Sequence, residues 1–296
     1  MIITILGSNG VIGNGISQAL CQNYNLKELN SEVFDKKTNK YKLSKFRNCD
    51  VFIHAAGVTD EEVKNQGEKK AFIRSTKAIT ELLKYLIKKN CKYFIYISSM
   101  RVYKSSSHIK MENRSKIFAE DFYEKCHIET EKVFNYELKK ANLEFLILRP
   151  GAVYGFSKNQ KKIRRHNLIP YSFPKSLVTK QFIKLKTSGS QYRNFCSNTD
   201  IGSLAKVWLE SSNKNKIKIS NVKGKTTINI LQFAKLCRNE YFKMFKKKSY
   251  IFAPKNKKNK LPLKINQLIK HKCKSQINIF LKSYFKNLKN ESNKKI

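Results

Sequence analysis

The chain has 296 residues, enough to bury a large core as one α/β domain or two modest ones. It carries 61 Lys and Arg against 21 Asp and Glu, a net charge of +40, with 41% hydrophobic residues. No apolar run approaches the roughly 18–20 residues of a membrane-spanning helix. The seven scattered cysteines, odd in number and without a CxxC pair, point to free thiols in a reducing cytoplasm and to no metal site.

A field this basic attracts nucleic acids, acidic membranes or phosphorylated small molecules. The plainer cause is a composition rich in Lys, Asn and Ile together. No RNA-binding or zinc-finger signature accompanies it, which argues against a specific nucleic-acid partner.

The first element is a buried strand, Ile2–Leu6, too short and too early for a secretion signal. It runs into a turn and then a helix, with glycines spaced GxxGxxG at Gly7, Gly10 and Gly13. Gly7 permits the tight turn, Gly10 lets backbone approach a phosphate, and Gly13 lets the helix pack on the strand. The backbone from Asn9 through Gly10, Val11 and Ile12 then offers N–H groups at a helix N-terminus, where a pyrophosphate can bind.

Further strands are predicted at 51–55, 93–98, 145–148 and 217–220. Helices are predicted at 71–88, with Phe72, Ile79, Leu82, Leu83, Leu86 and Ile87 on one face, and at 122–140. This alternation predicts an α/β fold, a doubly wound parallel sheet with helices on both sides. The expected division is a sheet domain over 1–155, with 196–220 returning to it. A smaller, interleaved domain is expected from 156–195 and 221–254. Residues 255–296 hold 13 lysines and one acid and are expected to form a basic tail or helix. A solvated end is the expectation; the alternative is an amphipathic helix lying on an acidic membrane surface.

Three more motifs follow the glycine turn: His54-Ala55-Ala56-Gly57, Ser98-Ser99-Met100-Arg101-Val102-Tyr103, and Leu148-Arg149-Pro150-Gly151-Ala152-Val153-Tyr154-Gly155. In their order and spacing, from Met1 to about residue 235, they resemble the extended short-chain dehydrogenase/reductase family. The resemblance is nearest to its nucleotide-sugar epimerases, dehydratases and keto-sugar reductases. It implies a Rossmann-type domain binding NAD or NADP, with Ala55, Ala56 and Gly57 beside the cofactor, and a C-terminal substrate domain. It also implies a nucleotide-sugar substrate in sugar-nucleotide or surface-polysaccharide metabolism, a cytoplasmic setting, and allows a homodimer.

The family pairs a Ser or Thr after the fifth strand with a Tyr-x-x-x-Lys on the next helix. Ser99 and Tyr123 match the first two, but His127 stands where the lysine should be. A phenol with a pKa near 10 needs a nearby cation to exchange its proton at neutral pH. Positions four apart share a helix face, so His127 can point where lysine would, though a neutral imidazole carries little charge. Lys125, two residues along, faces elsewhere. Three readings stand: a weakened catalyst, a non-catalytic dinucleotide-binding scaffold or redox sensor, or rescue by another lysine such as Lys104.

The acidic residue that grips the adenosine ribose in NAD-binding members falls at Asn30 or Ser31, with Glu32 next and Lys36 and Lys37 nearby. That tilts the reading slightly toward NADP. The stretch between Leu26 and Cys49 is short for the family, so its second and third strands are expected to be cut down. Arg193, in an Arg-Asn-Phe segment followed by Thr199-Asp200-Ile201, resembles the family arginine that contacts the nucleotide's phosphates; the plain alternative is a surface arginine. Val153 is expected on the floor between the domains. Ser99-Met100-Arg101 replaces the Thr-Asp-Glu of the 4,6-dehydratases, so that run supplies no carboxylate pair.

Overall fold

The computed structural model describes residues 1–103, 110–113, 115–158, 167–212, 214–255, 263–270, 273 and 275–293. Strand β1 (Ile2–Leu6) leads through the glycine turn to α1 (Val11–Leu20) and β2 (Asn25–Leu29). A hairpin of β3 (Phe34–Asp35) and β4 (Lys40–Tyr41) precedes β5 (Val51–His54). Then come α2 (Asp60–Gln66), α3 (Glu68–Ile73), a π turn over Arg74–Ala78, α4 (Ile79–Lys88) and β6 (Tyr93–Ile97). Short β7 (Lys110–Met111), α5 (Phe122–Lys140), β8 (Glu144–Pro150) and β9 (Ala152–Tyr154) follow. The remainder is α6 (Ile169–Lys180), β10 (Phe182–Lys184), β11 (Tyr192–Ser197), α7 (Asn198–Glu210), β12 (Ile219–Val222) and β13 (Thr226–Asn229). It closes with α8 (Ile230–Phe245), β14 (Tyr250–Phe252), β15 (Lys264–Ile265) and α9 (Ile277–Asn293).

Six strands form one parallel sheet in the order β12-β8-β6-β5-β1-β2. Its central strands β5, β6 and β8 are apolar on both sides, as burial between two helical layers requires. On one face Ile3, Ile5 and Ile53 pack with α1 and α7; on the other Phe52, Phe94 and Phe145 pack with α4 and α5. The doubly wound parallel architecture is therefore present. The strand order reverses at β1, and the turns after β1 and β5 flank the resulting crevice.

Differences from the sequence reading have local causes. β2 is complete and pairs along its whole length with β1, from Ile2–Asn25 to Leu6–Leu29. The third strand is what the short stretch lacks. In its place the hairpin inserts an aromatic ladder, Phe34 to Tyr41 to Phe46 to Phe52, with ring centroids 5.0, 6.0 and 6.0 Å apart. β12 lies two residues beyond the expected 217–220. Its Ser220 and Asn221 are polar yet fully buried, and Asn221 accepts the Tyr103 hydroxyl at 2.6 Å.

The last helix is docked on the core and is not a solvated end. α9 buries Ile277, Phe280, Leu281, Tyr284, Phe285 and Leu288, none more than 8% exposed, against α6 and α8. Phe280 meets the rings of Tyr154, Phe156 and Tyr171 at 5.3, 5.3 and 5.7 Å. An apolar face so occupied is not available to a membrane. Among the described residues no helix is long and apolar enough to cross one.

Candidate active site

The glycine turn is shaped by close contacts. Gly7 adopts φ +94°, and a Cβ at Gly13 would come within 2.1 Å of the Gly7 carbonyl oxygen. Gly7 also backs on the loop after β5: its Cβ would lie 2.9 Å from Ala56. Gly10 is different. It is exposed, and a Cβ there would meet only the Gly7 oxygen, at 3.3 Å. It opens α1 without a side-chain cap, and no acidic residue follows in the first turn. The amides of Val11 and Ile12 therefore begin a helix whose N-terminus suits an anion. This cradle fits the pyrophosphate of a dinucleotide.

Asn30, immediately after β2, braces the turn. Its Oδ1 accepts the Asn9 N–H at 2.8 Å and the Ser8 hydroxyl at 3.3 Å, and its own N–H donates to Glu32. The loop of Ala55, Ala56 and Gly57 is pinned by Arg74 on the π turn. That guanidinium donates to the Ala56 carbonyl at 3.0 Å and to Glu62 at 2.9 Å. Gly57 faces the imidazole of His127, whose Cε1 would be 2.8 Å from a Cβ at this position.

Asp121 caps α5 by accepting the Glu124 N–H, and the helix carries Tyr123 and His127 on one side with ring centroids 4.5 Å apart. His127 is buried, and its Nδ1 lies 2.6 Å from the Tyr96 hydroxyl on β6. Burial, then the nearby Glu131 charge, hold the Tyr96 phenol well above its ordinary pKa. Tyr96 thus keeps its proton and donates to Nδ1, which leaves the imidazole's own proton on Nε2. Lys125 lies elsewhere, its ammonium 5.3 Å from the Phe72 ring. Lys104 falls outside the described residues.

Ser99 ends the loop after β6 and accepts the Arg101 N–H at 3.2 Å, capping a short 3-10 turn, Met100–Val102. Its own hydroxyl proton remains to be donated. Arg101 is the feature that sequence reasoning passed over. Its guanidinium lies 4.4 Å over the Tyr123 ring and binds three carboxylates, Asp60 at 2.9 Å, Glu124 at 3.2 Å, and Asp121. Carboxylates therefore reach this site from α2 and α5, not from the run after β6. The signals were two helix N-terminal patterns: Thr59 with Glu62, a complete capping box, and Asp121 before α5.

These groups share one cavity of about 490 Å³. Ser99, Tyr123, Val153 and Arg193 all line it, and Ile12 links it to the glycine turn. Gly7, Asn9, Gly10, Val11, Gly13, Ala55, Ala56, Gly57 and His127 lie outside the lining, on the dinucleotide side of the crevice. Arg193, on β11, donates to the Tyr192 carbonyl at 3.0 Å. The cavity walls, and then the charge of Arg101, press its pKa below the usual arginine value. A cation so placed invites an anion.

Beneath this floor Arg149 and Glu131 form a buried pair, with bonds of 2.8 and 2.5 Å. Arg149 also stacks 4.9 Å from the Tyr103 ring. The Leu148–Gly155 motif thus fixes the strand end on which the cavity rests.

Solved structures share the fold. A UDP-glucuronic acid 4-epimerase from Bacillus cereus, in complex with UDP-glucuronic acid and NAD, superposes with a TM-score of 0.77 at 18% identity. The alignment covers 97% of this chain and 100% of that one. A UDP-N-acetylglucosamine 4-epimerase from Methanobrevibacter ruminantium M1, in complex with UDP-N-acetylmuramic acid, gives 0.78 at 15%, covering 98% of each chain. A UDP-glucose 4-epimerase from Thermotoga maritima, with UDP-glucose, gives 0.77 at 16%, covering 98% of this chain and 99% of that one. No curated protein matches the sequence significantly. The model of the NAD dependent epimerase/dehydratase family matches residues 3–222, about three quarters of the chain, so the chain belongs to the NAD dependent epimerase/dehydratase family.

Proposed function

We propose that the chain is an NAD-dependent epimerase acting on a nucleotide-linked sugar. The observation that carries this reading is the single cavity joining Ser99, Tyr123 and Arg193 to the glycine-turn helix. Three of the similar structures are UDP-sugar 4-epimerases, which supports the choice of substrate class. Dehydration is less well supported. Of the carboxylates that line the cavity, Asp60, Glu61, Glu120 and Glu124, Arg101 holds Asp60 and Glu124, and none stands in the run after β6 where the 4,6-dehydratases carry their acid pair.

NAD, held at the glycine turn by the Val11 and Ile12 amides and beside Ala55, Ala56 and Gly57, would supply a reversible hydride acceptor for a sugar carbon. Tyr123 takes the hydroxyl proton as the C–H bond breaks and gives it back on return. Ser99 donates a hydrogen bond to the same sugar oxygen. Arg193 holds the diphosphate through paired N–H donors. His127 keeps the lysine's place on the helix face and donates from Nε2 toward the cofactor ribose. Arg101 brings a guanidinium to the Tyr123 ring, but three carboxylates share its charge. Slow proton exchange follows, and with it modest turnover. Against the tilt toward NADP read from Asn30 and Ser31 stands Glu32, whose carboxylate accepts the Asn30 N–H at 2.8 Å beside the end of β2 and would repel a 2′-phosphate, so NAD is the cofactor we favour. The two-part division expected from sequence, a cofactor domain over 1–155 with 196–220 and a substrate part from 156–195 and 221–254, suits this chemistry.

The test is conversion of UDP-glucose, UDP-glucuronic acid and UDP-N-acetylglucosamine to their epimers by the whole chain with NAD. Tyr123→Phe should abolish conversion while NAD still binds, and Gly10→Val should abolish NAD binding with the fold intact. Absence of epimers across the panel, or full activity in Tyr123→Phe, would overturn the reading.

A further inference from the structure

Charge is spread unevenly along the chain. Residues 156–296 hold 35 Lys and Arg but 4 Asp and Glu. No acidic residue occurs between Glu144 and Asp200, or between Glu240 and Glu291. β10 and β14 both fall in these acid-free stretches and pair side by side, Phe182 with Tyr250 and Lys184 with Phe252. Alternation along the strands turns Ile183 inward, 1% exposed, with Ile251 packed on the same core. Phe182, Lys184, Tyr250 and Phe252 form the outer face. Tyr250 and Phe252 are 60% and 54% exposed.

The rings make one cluster. Tyr250 and Phe252 lie 6.4 Å apart, and Phe182 meets Phe252 edge-on at 5.6 Å. Exposed lysines flank both strands in sequence: Lys180, Lys184 and Lys186 along one, and Lys246, Lys247 and Lys248 leading into the other. The support is ordered. α6 and α8 each end on a left-handed residue, Gln181 at φ 59° and Lys246 at φ 55°. The Tyr250 N–H donates to the Gln181 carbonyl at 3.0 Å, and the Leu185 N–H to the Phe252 carbonyl at 2.8 Å.

Exposed rings grouped this way mark an interaction surface. The exposed lysines that flank both strands, with no acid in either stretch, disfavour a second copy of the same face by like-charge repulsion. They require an anionic occupant. Phe182 and Phe252 bring no hydrogen-bonding group, and rings already packed edge to face gain most where faces and edges are both covered. A bilayer surface does that, with the rings at headgroup depth and the ammonium groups beside lipid phosphates.

We propose that the β10–β14 face, Phe182, Tyr250 and Phe252 flanked by Lys180, Lys184 and Lys246–Lys248, docks on membranes rich in anionic phospholipid. The proposal is independent of the catalytic reading. Its test is co-sedimentation of the full chain with phosphatidylcholine vesicles, with and without phosphatidylglycerol. Binding should need phosphatidylglycerol and fall as salt is raised. The double variant Tyr250→Ser/Phe252→Ser and the triple variant Lys246→Gln/Lys247→Gln/Lys248→Gln should each weaken it by at least about tenfold. Both should keep the wild-type melting temperature. Failure of the wild type to bind phosphatidylglycerol vesicles would overturn the proposal without recourse to any variant. So would undiminished binding by both variants, or binding to single-stranded oligonucleotide alone that the variants abolish.

Discussion

The hydroxyl of Tyr96 lies 2.6 Å from Nδ1 of His127, so the residue at the family's lysine position is held by the sheet beneath it. The pair fixes the imidazole's orientation and leaves Nε2 to face away from the bond. A lysine at 127 alone would restore charge near Tyr123 but take away the Nδ1 that accepts the buried Tyr96 hydroxyl. His127→Lys should therefore raise turnover by at least about tenfold, about 1.4 kcal/mol of barrier. It should also lower stability by about 1–3 kcal/mol, the cost of an orphaned buried polar group. Adding Tyr96→Phe should recover the stability and keep the gain. Turnover and melting temperature of the two single variants and the double variant check this; additive effects on stability would refute the coupling.

Arg193 lines the cavity while staying open to solvent, and desolvation by the cavity walls, then the charge of Arg101, presses its pKa down. Removing it relieves a repulsion but deletes the anion's ligand. Arg193→Ala should weaken nucleotide-sugar binding by about 1.5–3 kcal/mol, the range for a hydrogen bond to a charged group. NAD affinity should stay unchanged. Titration calorimetry with UDP, the UDP-sugar and NAD separates the cases, and equal losses for all three would mean a disturbed fold.

His54 closes β5 inside a stack of rings, 5.4 Å from Tyr96 and 6.2 Å from both Phe52 and Phe134. Burial, then the charges of Arg74 and His127, hold its pKa down to about 3. The folded chain therefore binds fewer protons here than the unfolded chain, whose histidine titrates near 6.5. Stability from this group is whole above about pH 6.5 and is lost as pH falls toward 3, at up to about 1.4 kcal/mol per unit. His54→Phe keeps the stacking and should flatten that slope. Denaturant melts of both proteins between neutral and mildly acidic pH measure it; parallel curves would show that His54 is not the source.

The cofactor half of the site was legible because its signals are local. Gly7, Gly10 and Gly13 act within one turn, and the glycines report backbone geometry directly. Ser99 and Tyr123 could be paired only through the family resemblance, by their order and spacing after the fifth strand. Arg101 was hidden, since its role depends on Asp60, Asp121 and Glu124, up to 41 residues away, meeting it in space. The Tyr96–His127 bond joins a strand to a helix across 31 residues and has no sequence signal either. The missing third strand was foreseen as a shortage of residues, but the aromatic hairpin that fills its place was not. Composition misled most at the C-terminus, where an amphipathic helix was considered but the lysines pointed its setting toward solvent or a membrane surface and not toward the core.

That helix yields the last prediction. Its six buried side chains, Ile277, Phe280, Leu281, Tyr284, Phe285 and Leu288, are each at most 8% exposed. At about 1.5–3 kcal/mol for each buried side chain, their burial is comparable to the whole net stability of an ordinary domain, about 5–15 kcal/mol. Phe285 further closes against Tyr241 and Phe245 of α8, at 6.0 and 6.1 Å. Ending the chain after Pro254 should therefore expose the apolar sides of α6 and α8 and give an insoluble or unfolded product. Replacing only the outward lysines Lys282 and Lys286 by Gln should leave melting temperature and NAD binding within error of the wild type. A truncated chain that stays soluble, melts cooperatively and binds NAD would show that α9 is dispensable to the core.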